Sequence, residues 1–213
     1  MLNPSKYWND FYQNFNINEP SDFAKFVLPT LVELKRPLKV AEIGCGNGRD
    51  LLYFAEQLQI SYFLGLDFSK TALKQLVKRC TEHSLYNIVP IVRDFTSQPL
   101  EIPNVDCFYL RFVLHAIGEK DELFVLKECY NELKSGGLIF IECRSAKLPE
   151  LSYGKRVGEK IYEGDHQRRL IDKDELDQTL QSLGFKQKMS IEERGLAKNN
   201  VEDPLIIRAI YYK

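Results

Sequence analysis

The sequence has few of the features that mark disulfide scaffolds, metal sites or membrane proteins. Its five cysteines are widely spaced and include no C-x-x-C pair. An odd, scattered set argues against a disulfide framework and against a cysteine zinc site, and it favours a reducing, cytoplasmic location. No apolar run approaches the ~20 residues that a membrane-spanning helix needs, and the N-terminus lacks the apolar segment of a signal peptide.

An excess of charge of one sign is also missing. The 29 Lys and Arg residues balance 30 Asp and Glu residues, which gives a formal net charge of −1. Bulk charge therefore does not draw the protein to nucleic acid, and we expect neither a nucleic-acid nor a membrane partner. With 213 residues and 44% hydrophobic residues, the chain has the size and composition of one folded domain over residues 1–213.

Short apolar runs alternate with longer segments of helical periodicity. The apolar runs predict strands at 38–43, 62–67, 88–94, 105–110 and 138–142, and the helical spacing predicts helices at 50–58, 69–80 and 120–133. Such an alternation is typical of parallel strands joined by right-handed crossovers, as in a doubly wound, Rossmann-like α/β sheet. After a helix at 172–183, two strands at 185–191 and 205–212 have no helix between them, so we expect this pair to be antiparallel.

The most specific motif is a glycine loop between the first predicted strand and the first predicted helix. It reads Glu42-Ile43-Gly44-Cys45-Gly46-Asn47-Gly48. Glycines let the backbone turn tightly at the carboxyl end of a parallel strand, where ligands bind. The spacing is G-x-G-x-G, not the G-x-G-x-x-G of dinucleotide folds. The acid that precedes the glycines suits a positively charged ligand such as S-adenosylmethionine (SAM), which has a sulfonium and an ammonium group.

Two more strand ends carry acids in the order that a nucleoside-containing ligand requires. Asp67 ends the second strand, nineteen residues after Gly48, and a carboxylate there accepts hydrogen bonds from ribose hydroxyls. Asp94 and Phe95 follow the third strand, where a carboxylate suits an adenine amino group and a ring packs on the base. Each residue alone also fits an ordinary turn, but the three strand ends together indicate cofactor binding.

In these segments the chain resembles class I SAM-dependent methyltransferases. The matching stretches are VAEIGCGNGRD at 40–50, GLDFS at 65–69, VRDFT at 92–96, DCFYLRFVLHAI at 106–117 and LKSGGLIFIE at 133–142. The resemblance implies a seven-stranded sheet whose last two strands form an antiparallel hairpin, and an enzyme that converts SAM into S-adenosylhomocysteine. The residues that it implies for cofactor binding are Glu42, Gly44, Cys45, Gly46, Asn47, Gly48, Asp67, Phe68, Asp94 and Phe95.

The stretch Tyr7-Trp8-Asn9-Asp10-Phe11-Tyr12 resembles a segment that often covers the cofactor in these enzymes, and we expect residues 1–30 to form a helical lid. Aromatic residues recur there at i and i+4, at Tyr7 and Phe11 and at Trp8 and Tyr12, so one helical face is aromatic. We expect Tyr7, Trp8 and Tyr12 to contact the cofactor. Core packing of a terminal helix is the alternative interpretation.

The methyl acceptor is expected near the end of the fourth strand. Arg111 is a candidate to contact the cofactor or to anchor an anionic acceptor, and His115 is a candidate base or a satisfied core histidine. On one helical turn, their i, i+4 spacing would put both on the same face. The sequence lacks the Asn/Asp-Pro-Pro-Tyr/Phe motif, which counts against DNA-adenine and glutamine methylation.

Residues 144–171 have no clear period, and we expect them to cover the acceptor. Because arginines bind carboxylate and phosphate bidentately, the stretch suits an anionic acceptor. Its candidate substrate-binding residues are Arg144, Tyr153, His166, Arg168 and Arg169. A solvated loop whose charges pair with nearby acids is the alternative. LRFVLHAI at 110–117, SYGK at 152–155 and DHQRRLI at 165–171 resemble a small bacterial subgroup found among surface-polysaccharide genes, which implies O-methylation of a sugar or phosphoryl group on a glycan precursor.

Competing functions are an N-methyltransferase of a small metabolite, a SAM-binding protein without turnover, a nucleic-acid or protein methyltransferase and a nicotinamide dehydrogenase. The neutral net charge disfavours an RNA substrate, and the glycine spacing disfavours the dehydrogenase. No cluster of carboxylates follows the fourth strand, so no metal is expected.

Overall fold

The computed structural model describes residues 4–14, 17–147, 154–164, 166–198 and 202–213. Its six helices over these residues are α1 (Pro4–Asn14), α2 (Asp22–Glu33), α3 (Arg49–Gln57), α4 (Lys70–Glu82), α5 (Glu119–Glu132) and α6 (Lys173–Ser182). A 3-10 turn, Leu114–Ala116, precedes α5.

Seven strands form one sheet in the order β3-β2-β1-β4-β5-β10-β9. They are β1 (Lys39–Ile43), β2 (Tyr62–Asp67), β3 (Ile88–Val92), β4 (Val105–Arg111), β5 (Leu133–Arg144), β9 (Lys186–Glu193) and β10 (Ile206–Tyr212). Along the sheet, the neighbouring strands β3, β2, β1, β4 and β5 pair in parallel, whereas β10 pairs antiparallel with both β5 and β9. The predicted doubly wound sheet with a terminal hairpin is confirmed. Pro90 lies in the edge strand β3, where its missing N–H costs no pairing with a second neighbour.

Two hydrophobic clusters cover the two faces of the sheet. One contains the apolar faces of α2, α3 and α4, and the other contains those of α5 and α6. Alternate residues of a strand serve opposite faces, as Cys107 and Phe108 of β4 do. The hydroxyl of Ser69 accepts the backbone N–H of Ala72 at 3.2 Å and caps α4 as its type predicts. This packing leaves the carboxyl edge of the parallel strands for a binding site.

Two expectations about the covering segments need correction. The described part of 144–171 does have regular structure, because β6 (Lys155–Gly158), β7 (Ile161–Glu163) and β8 (Gln167–Arg169) form a small antiparallel sheet. Strands this short leave too few positions for an alternation to show in the sequence. Residues 1–30 are not all a cover, because Phe23 and Val27 of α2 are buried in the core, whereas Tyr12 of α1 lies against the glycine loop.

Candidate active site

The glycine loop lies at the carboxyl end of β1, as predicted. Gly44 and Gly46 have φ values of +66° and +54°, in the left-handed region that favours glycine. A Cβ on Gly44 would lie 2.7 Å from Cγ2 of Val113, and one on Gly46 would overlap the hydroxyl of Tyr12. The loop is therefore a cradle of bare backbone, and any side chain at these two positions would fill it.

Asp67 ties the cradle to β2. Its Oδ2 accepts the backbone N–H of Gly46 at 2.9 Å, and its Oδ1 accepts that of Ser69 at 2.7 Å. Burial raises the pKa of Asp67 to about 6 even though these hydrogen bonds favour the charged form. Since a carboxylate offers about four lone-pair sites, Asp67 can still accept a hydrogen bond from a ligand hydroxyl.

Glu42 supplies the observation that best tests a cationic cofactor. Its side chain is buried, and within the described ranges its Oε2 has no hydrogen-bond partner. Burial raises its pKa well above the usual value, and the charge of Asp50 adds to the rise. An orphaned buried oxygen is costly, and a cationic ligand beside it removes that cost. The residues present therefore fit SAM.

The side chains of Cys45 and Asn47 pack within the protein. The thiol of Cys45 is buried, and burial raises its pKa well above the usual value, so it is a poor nucleophile. Asn47 donates its side-chain N–H to the carbonyl of Ile17 at 3.1 Å. Both residues belong to the cradle, but these side-chain contacts are internal to the protein.

Phe68, Asp94 and Phe95 meet beside the cradle. The rings of Phe68 and Phe95 are 5.8 Å apart, and the Phe95 ring lies 3.8 Å from the position of a Cβ on Gly44. Asp94 accepts the hydroxyls of Thr96 at 2.6 Å and Ser97 at 2.7 Å. Although burial raises the pKa of Asp94, these hydrogen bonds outweigh it and lower the pKa overall. The position of an adenine beside these residues stays a prediction.

Helix α1 lies over the cradle. The Tyr12 hydroxyl sits against Gly46, and burial together with the charge of Asp67 raises the pKa of Tyr12. Oδ1 of Asn9 accepts the Ser69 hydroxyl at 3.0 Å and the Thr71 N–H at 3.1 Å, which docks α1 on the start of α4. Tyr12 is therefore the aromatic residue of α1 that closes the cradle.

The other predicted aromatic residues of α1 face the small sheet. The hydroxyl of Tyr7 lies 2.9 Å from Nδ1 of His166, and the ring of Trp8 lies 5.2 Å from that imidazole. The structure thus brings together two predicted cofactor residues and one predicted substrate residue. They form a contact between α1 and the covering sheet β6–β8.

Arg111 ends β4 as part of an ion-pair network. Its Nε donates to Oε1 of Glu142 at 3.0 Å, and Oε2 of Glu142 accepts Nε of Arg208 at 2.8 Å. The guanidinium of Arg111 also lies 4.2 Å from the ring centre of Phe112, and that of Arg144 lies 5.6 Å from it. Two arginines therefore hold one aromatic ring between them.

Sequence reasoning missed Phe112. Its φ of +59° lies in the left-handed region, which is rare for a bulky residue and costs of order 1–3 kcal/mol. Strain of this kind concentrates at functional sites. No sequence pattern reports a backbone dihedral angle, so no signal was available to find it.

His115 does not share a helical turn with Arg111, which corrects the expectation built on their spacing. Arg111 ends a strand, and His115 lies in the 3-10 turn 114–116. Nδ1 of His115 accepts the backbone N–H of Arg144 at 3.2 Å. Burial lowers the pKa of His115 well below its usual value, and the charges of Arg144 and Arg168 lower it further. In the neutral form Nε2 then carries the proton, so His115 is a hydrogen-bond donor there rather than a base.

A cavity of about 260 Å³ opens beside Phe112. It is lined by residues 17 and 20–23, by Arg49, Arg111, Phe112, Glu142 and Arg144, and by residues 196–198. Arg49 directly follows the glycine loop, so the cavity and the cradle are neighbours. Arg49 and Lys198 are further basic residues that sequence reasoning missed.

The remaining predicted substrate residues are not in this cavity. Arg169 pairs with Glu122 and so fastens the small sheet to α5. Arg168 and His166 lie close enough to His115 for their charges to lower its pKa. Arg144, which does line the cavity, pairs with Glu202. Tyr153 lies outside the described residues.

Comparisons with known proteins agree with this geometry. Residues 40–137 match the family model of a methyltransferase domain. The chain is similar to the tRNA N(3)-methylcytidine methyltransferase Mettl2 of Drosophila melanogaster, with 29% identity over 180 residues. The match covers 74% of this chain and 53% of the relative. It is also similar to phosphoethanolamine N-methyltransferase 1 of Arabidopsis thaliana, with 28% identity over 156 residues. This match covers 72% of this chain and 30% of the relative. The chain thus spans about half or less of the length of these relatives.

Solved structures with this fold include SAM-dependent methyltransferases. One from Methanosarcina mazei has a TM-score of 0.73 at 15% identity and covers 86% of this chain and 96% of its own. The 1,6-didemethyltoxoflavin-N1-methyltransferase of Burkholderia thailandensis, solved with S-adenosylhomocysteine, has a TM-score of 0.68 at 17% identity, covering 90% of this chain and 78% of its own.

Together, these matches confirm the predicted fold. The similarity of residues 40–137 to a methyltransferase domain supports the predicted enzyme class. The roles of individual site residues stay predictions. None of the helices in the described ranges is long and apolar enough to cross a bilayer.

Proposed function

We propose that this protein transfers the methyl group of SAM to an oxygen of a small, anionic acceptor in the cytoplasm, such as a sugar or a phosphoryl group of a glycan precursor. The observation that carries the proposal is the cavity beside the glycine cradle. Three arginines, Arg49, Arg111 and Arg144, and one lysine, Lys198, line it. Guanidinium groups match carboxylate and phosphate geometry, so a small anion is the ligand that this lining favours.

Several residues of the cradle would hold SAM. The loop Gly44–Gly48 would lie along its methionine part with Glu42 nearby, Asp67 would accept from its ribose, and Phe68 and Phe95 would flank its adenine. Bound SAM supplies an electrophilic methyl group on a sulfonium. Tyr12 would exclude water from the cradle, because its phenol already lies against Gly46.

The acceptor would be positioned by residues around Phe112. Arg111 and Arg144 would face its negative charge, and Nε2–H of His115 would donate a hydrogen bond to it. An oxygen that is already anionic needs no base, which agrees with a His115 that cannot accept a proton at Nε2. On this view the protein accelerates transfer mainly by placing the acceptor in line with the methyl group.

N-methylation of a small metabolite is the second candidate. It is favoured by the similarity to phosphoethanolamine N-methyltransferases of Arabidopsis thaliana and Triticum aestivum. In such an acceptor the phosphate would meet the arginines and the amine would receive the methyl group. A SAM-binding protein without turnover is the third candidate.

The test is a screen of phosphorylated and carboxylated sugars, with phosphoethanolamine and neutral sugars alongside, in an assay that measures release of S-adenosylhomocysteine. We expect release with an anionic acceptor and a new O-methyl signal in the NMR spectrum of the product. An N-methyl product would favour the second candidate. SAM binding without release for any acceptor would favour the third. EDTA should leave the rate unchanged, since no metal is proposed.

A further inference from the structure

Arg49 is a largely buried arginine with little to bind. It begins α3, its side chain is 18% exposed, and it lines the cavity. Within the described part of the chain its one ionic contact is to Asp50, where Nε and Oδ1 are 3.9 Å apart. That distance is too long for a hydrogen bond. A guanidinium withdrawn from water usually has partners, so this one has donors left for a ligand.

The carboxylate of Asp50 makes no close ion pair with Arg49, because it accepts hydrogen bonds from other donors. Oδ1 accepts the backbone N–H of Ser21 at 2.7 Å. Oδ2 accepts the hydroxyls of Ser21 and Tyr109, each at 2.7 Å. These short bonds direct the carboxylate toward α2 and β4.

Lys198 lines the same cavity from the loop between β9 and β10. It is exposed, and over the ranges that the structure describes no acid pairs with it. The other two basic residues of the lining differ in this respect, because Arg111 pairs with Glu142 and Arg144 pairs with Glu202.

The balance of charge around the cavity selects the class of anion. The five basic residues of the lining and the layer behind it are Arg49, Arg111, Arg144, Lys198 and Arg208. The carboxylates beside them are Asp50, Glu142 and Glu202, and Asp22 of the lining pairs with Lys25. Glu42 of the cradle also acts on Arg49 and Arg111, so the count is five against four. Within the described residues, Arg49 and Lys198 are the two of these basic groups that have no carboxylate at hydrogen-bond distance. A phosphate monoester carries about −1.5 to −2 at neutral pH, whereas a carboxylate carries only one negative charge.

From these contacts we infer that the cavity is a phosphoryl-binding site, with Arg49 and Lys198 as the residues that bind the phosphoryl group of the acceptor. The inference rests on the proposed function and narrows its acceptor from anions in general to phosphorylated compounds. Arg49 donates through its planar guanidinium, and the exposed Lys198 adds a second positive charge from the lining.

The test uses inorganic phosphate as the probe and the full chain saturated with S-adenosylhomocysteine, in titration calorimetry at constant ionic strength. Phosphate should bind the wild type, and Arg49→Gln and Lys198→Ala should each weaken it about tenfold or more, because each removes a charged donor. The matched controls are Arg36→Gln and Lys188→Ala. Arg36 lies at the opposite end of the sheet, where it donates to Asp106. In the variant, Asp106 still accepts a hydrogen bond from Nζ of Lys134 at 2.9 Å. Lys188 is exposed on β9. Both controls should bind phosphate within about twofold of the wild type.

Each other outcome decides against part of the inference. A wild type that binds S-adenosylhomocysteine but not phosphate overturns the inference alone, whereas failure to bind S-adenosylhomocysteine overturns the proposed function. Loss of both ligands in Arg49→Gln assigns Arg49 to the cofactor. Equal binding of acetate and phosphate removes the preference for a dianion. Lys198 is exposed, so its variant decides the question even if Arg49→Gln does not fold.

Discussion

Tyr7 and His166 are 159 positions apart, yet the phenol oxygen of Tyr7 lies 2.9 Å from Nδ1 of His166. Tyr7 belongs to α1, whose Tyr12 closes the glycine cradle, and His166 directly precedes β8 in the small sheet. This hydrogen bond therefore joins the cover of the predicted cofactor site to the cover of the predicted acceptor site.

Tyr7→Phe tests that connection. It removes the hydroxyl but keeps the ring that packs on the imidazole at 4.8 Å. Loss of one such hydrogen bond costs about 0.5–1.5 kcal/mol, so KM for the acceptor and Kd for SAM should both rise about two- to tenfold. Steady-state kinetics and calorimetry measure the two constants. A change in only one of them would show that the two covers are independent.

Gly46→Ala should abolish cofactor binding. The new methyl group would overlap the Tyr12 hydroxyl and fill the cradle. A matched control is Gly136→Ala, since Gly136 also has a positive φ, +75°, but nothing lies within 4 Å of its Cβ position. Both variants should lose about 1 kcal/mol or more of unfolding free energy from backbone strain, and only Gly46→Ala should lose S-adenosylhomocysteine binding. Calorimetry and thermal unfolding separate the two effects.

The affinity for S-adenosylhomocysteine should depend on the ionisation of Asp67. Its pKa is raised to about 6, and only the charged carboxylate accepts from both ribose hydroxyls while it holds the loop amides. The affinity should therefore be constant above pH 7 and fall as the pH drops through about 6. Kd measured from pH 5 to 8 checks this, and a flat profile would contradict a ribose role for Asp67.

His115 should make stability depend on pH in a defined direction. Its folded pKa lies well below its usual value, so the unfolded chain binds the extra proton first as the pH falls. Its contribution is complete above the unfolded pKa of about 6.5 and is lost progressively below that pH. Urea unfolding from pH 5 to 8 should show this loss in the wild type, and a smaller one in His115→Gln. An equal slope in both would mean that other groups cause it.

Arg168→Ala should raise KM for the acceptor much more than KM for SAM. Arg168 lies on β8 near His115, where its charge helps to lower the pKa of the imidazole. Arg156→Ala in the exposed strand β6 is the control, and it should change neither constant by more than about twofold. Equal effects of Arg168→Ala on both constants, or no effect, would remove Arg168 from the acceptor site.

Sequence patterns were enough to predict the parallel sheet, its terminal hairpin and the positions of the glycine loop, Asp67 and Phe95. These features depend on periodicity and on residues at strand ends, which neighbouring positions report directly. Asp67 and Gly46 meet because adjacent parallel strands end at the same edge of the sheet.

The chemistry around the cavity, by contrast, depends on long-range contacts. Its lining comes from segments as distant as residues 20–23 and 196–198, which no local pattern relates. Whether an arginine is paired depends on acids far along the chain, so Arg169 was expected to face the acceptor but pairs with Glu122, while Arg49 is left with donors to spare. The proton position on His115 follows from a backbone N–H contributed by β5, the next strand of the sheet.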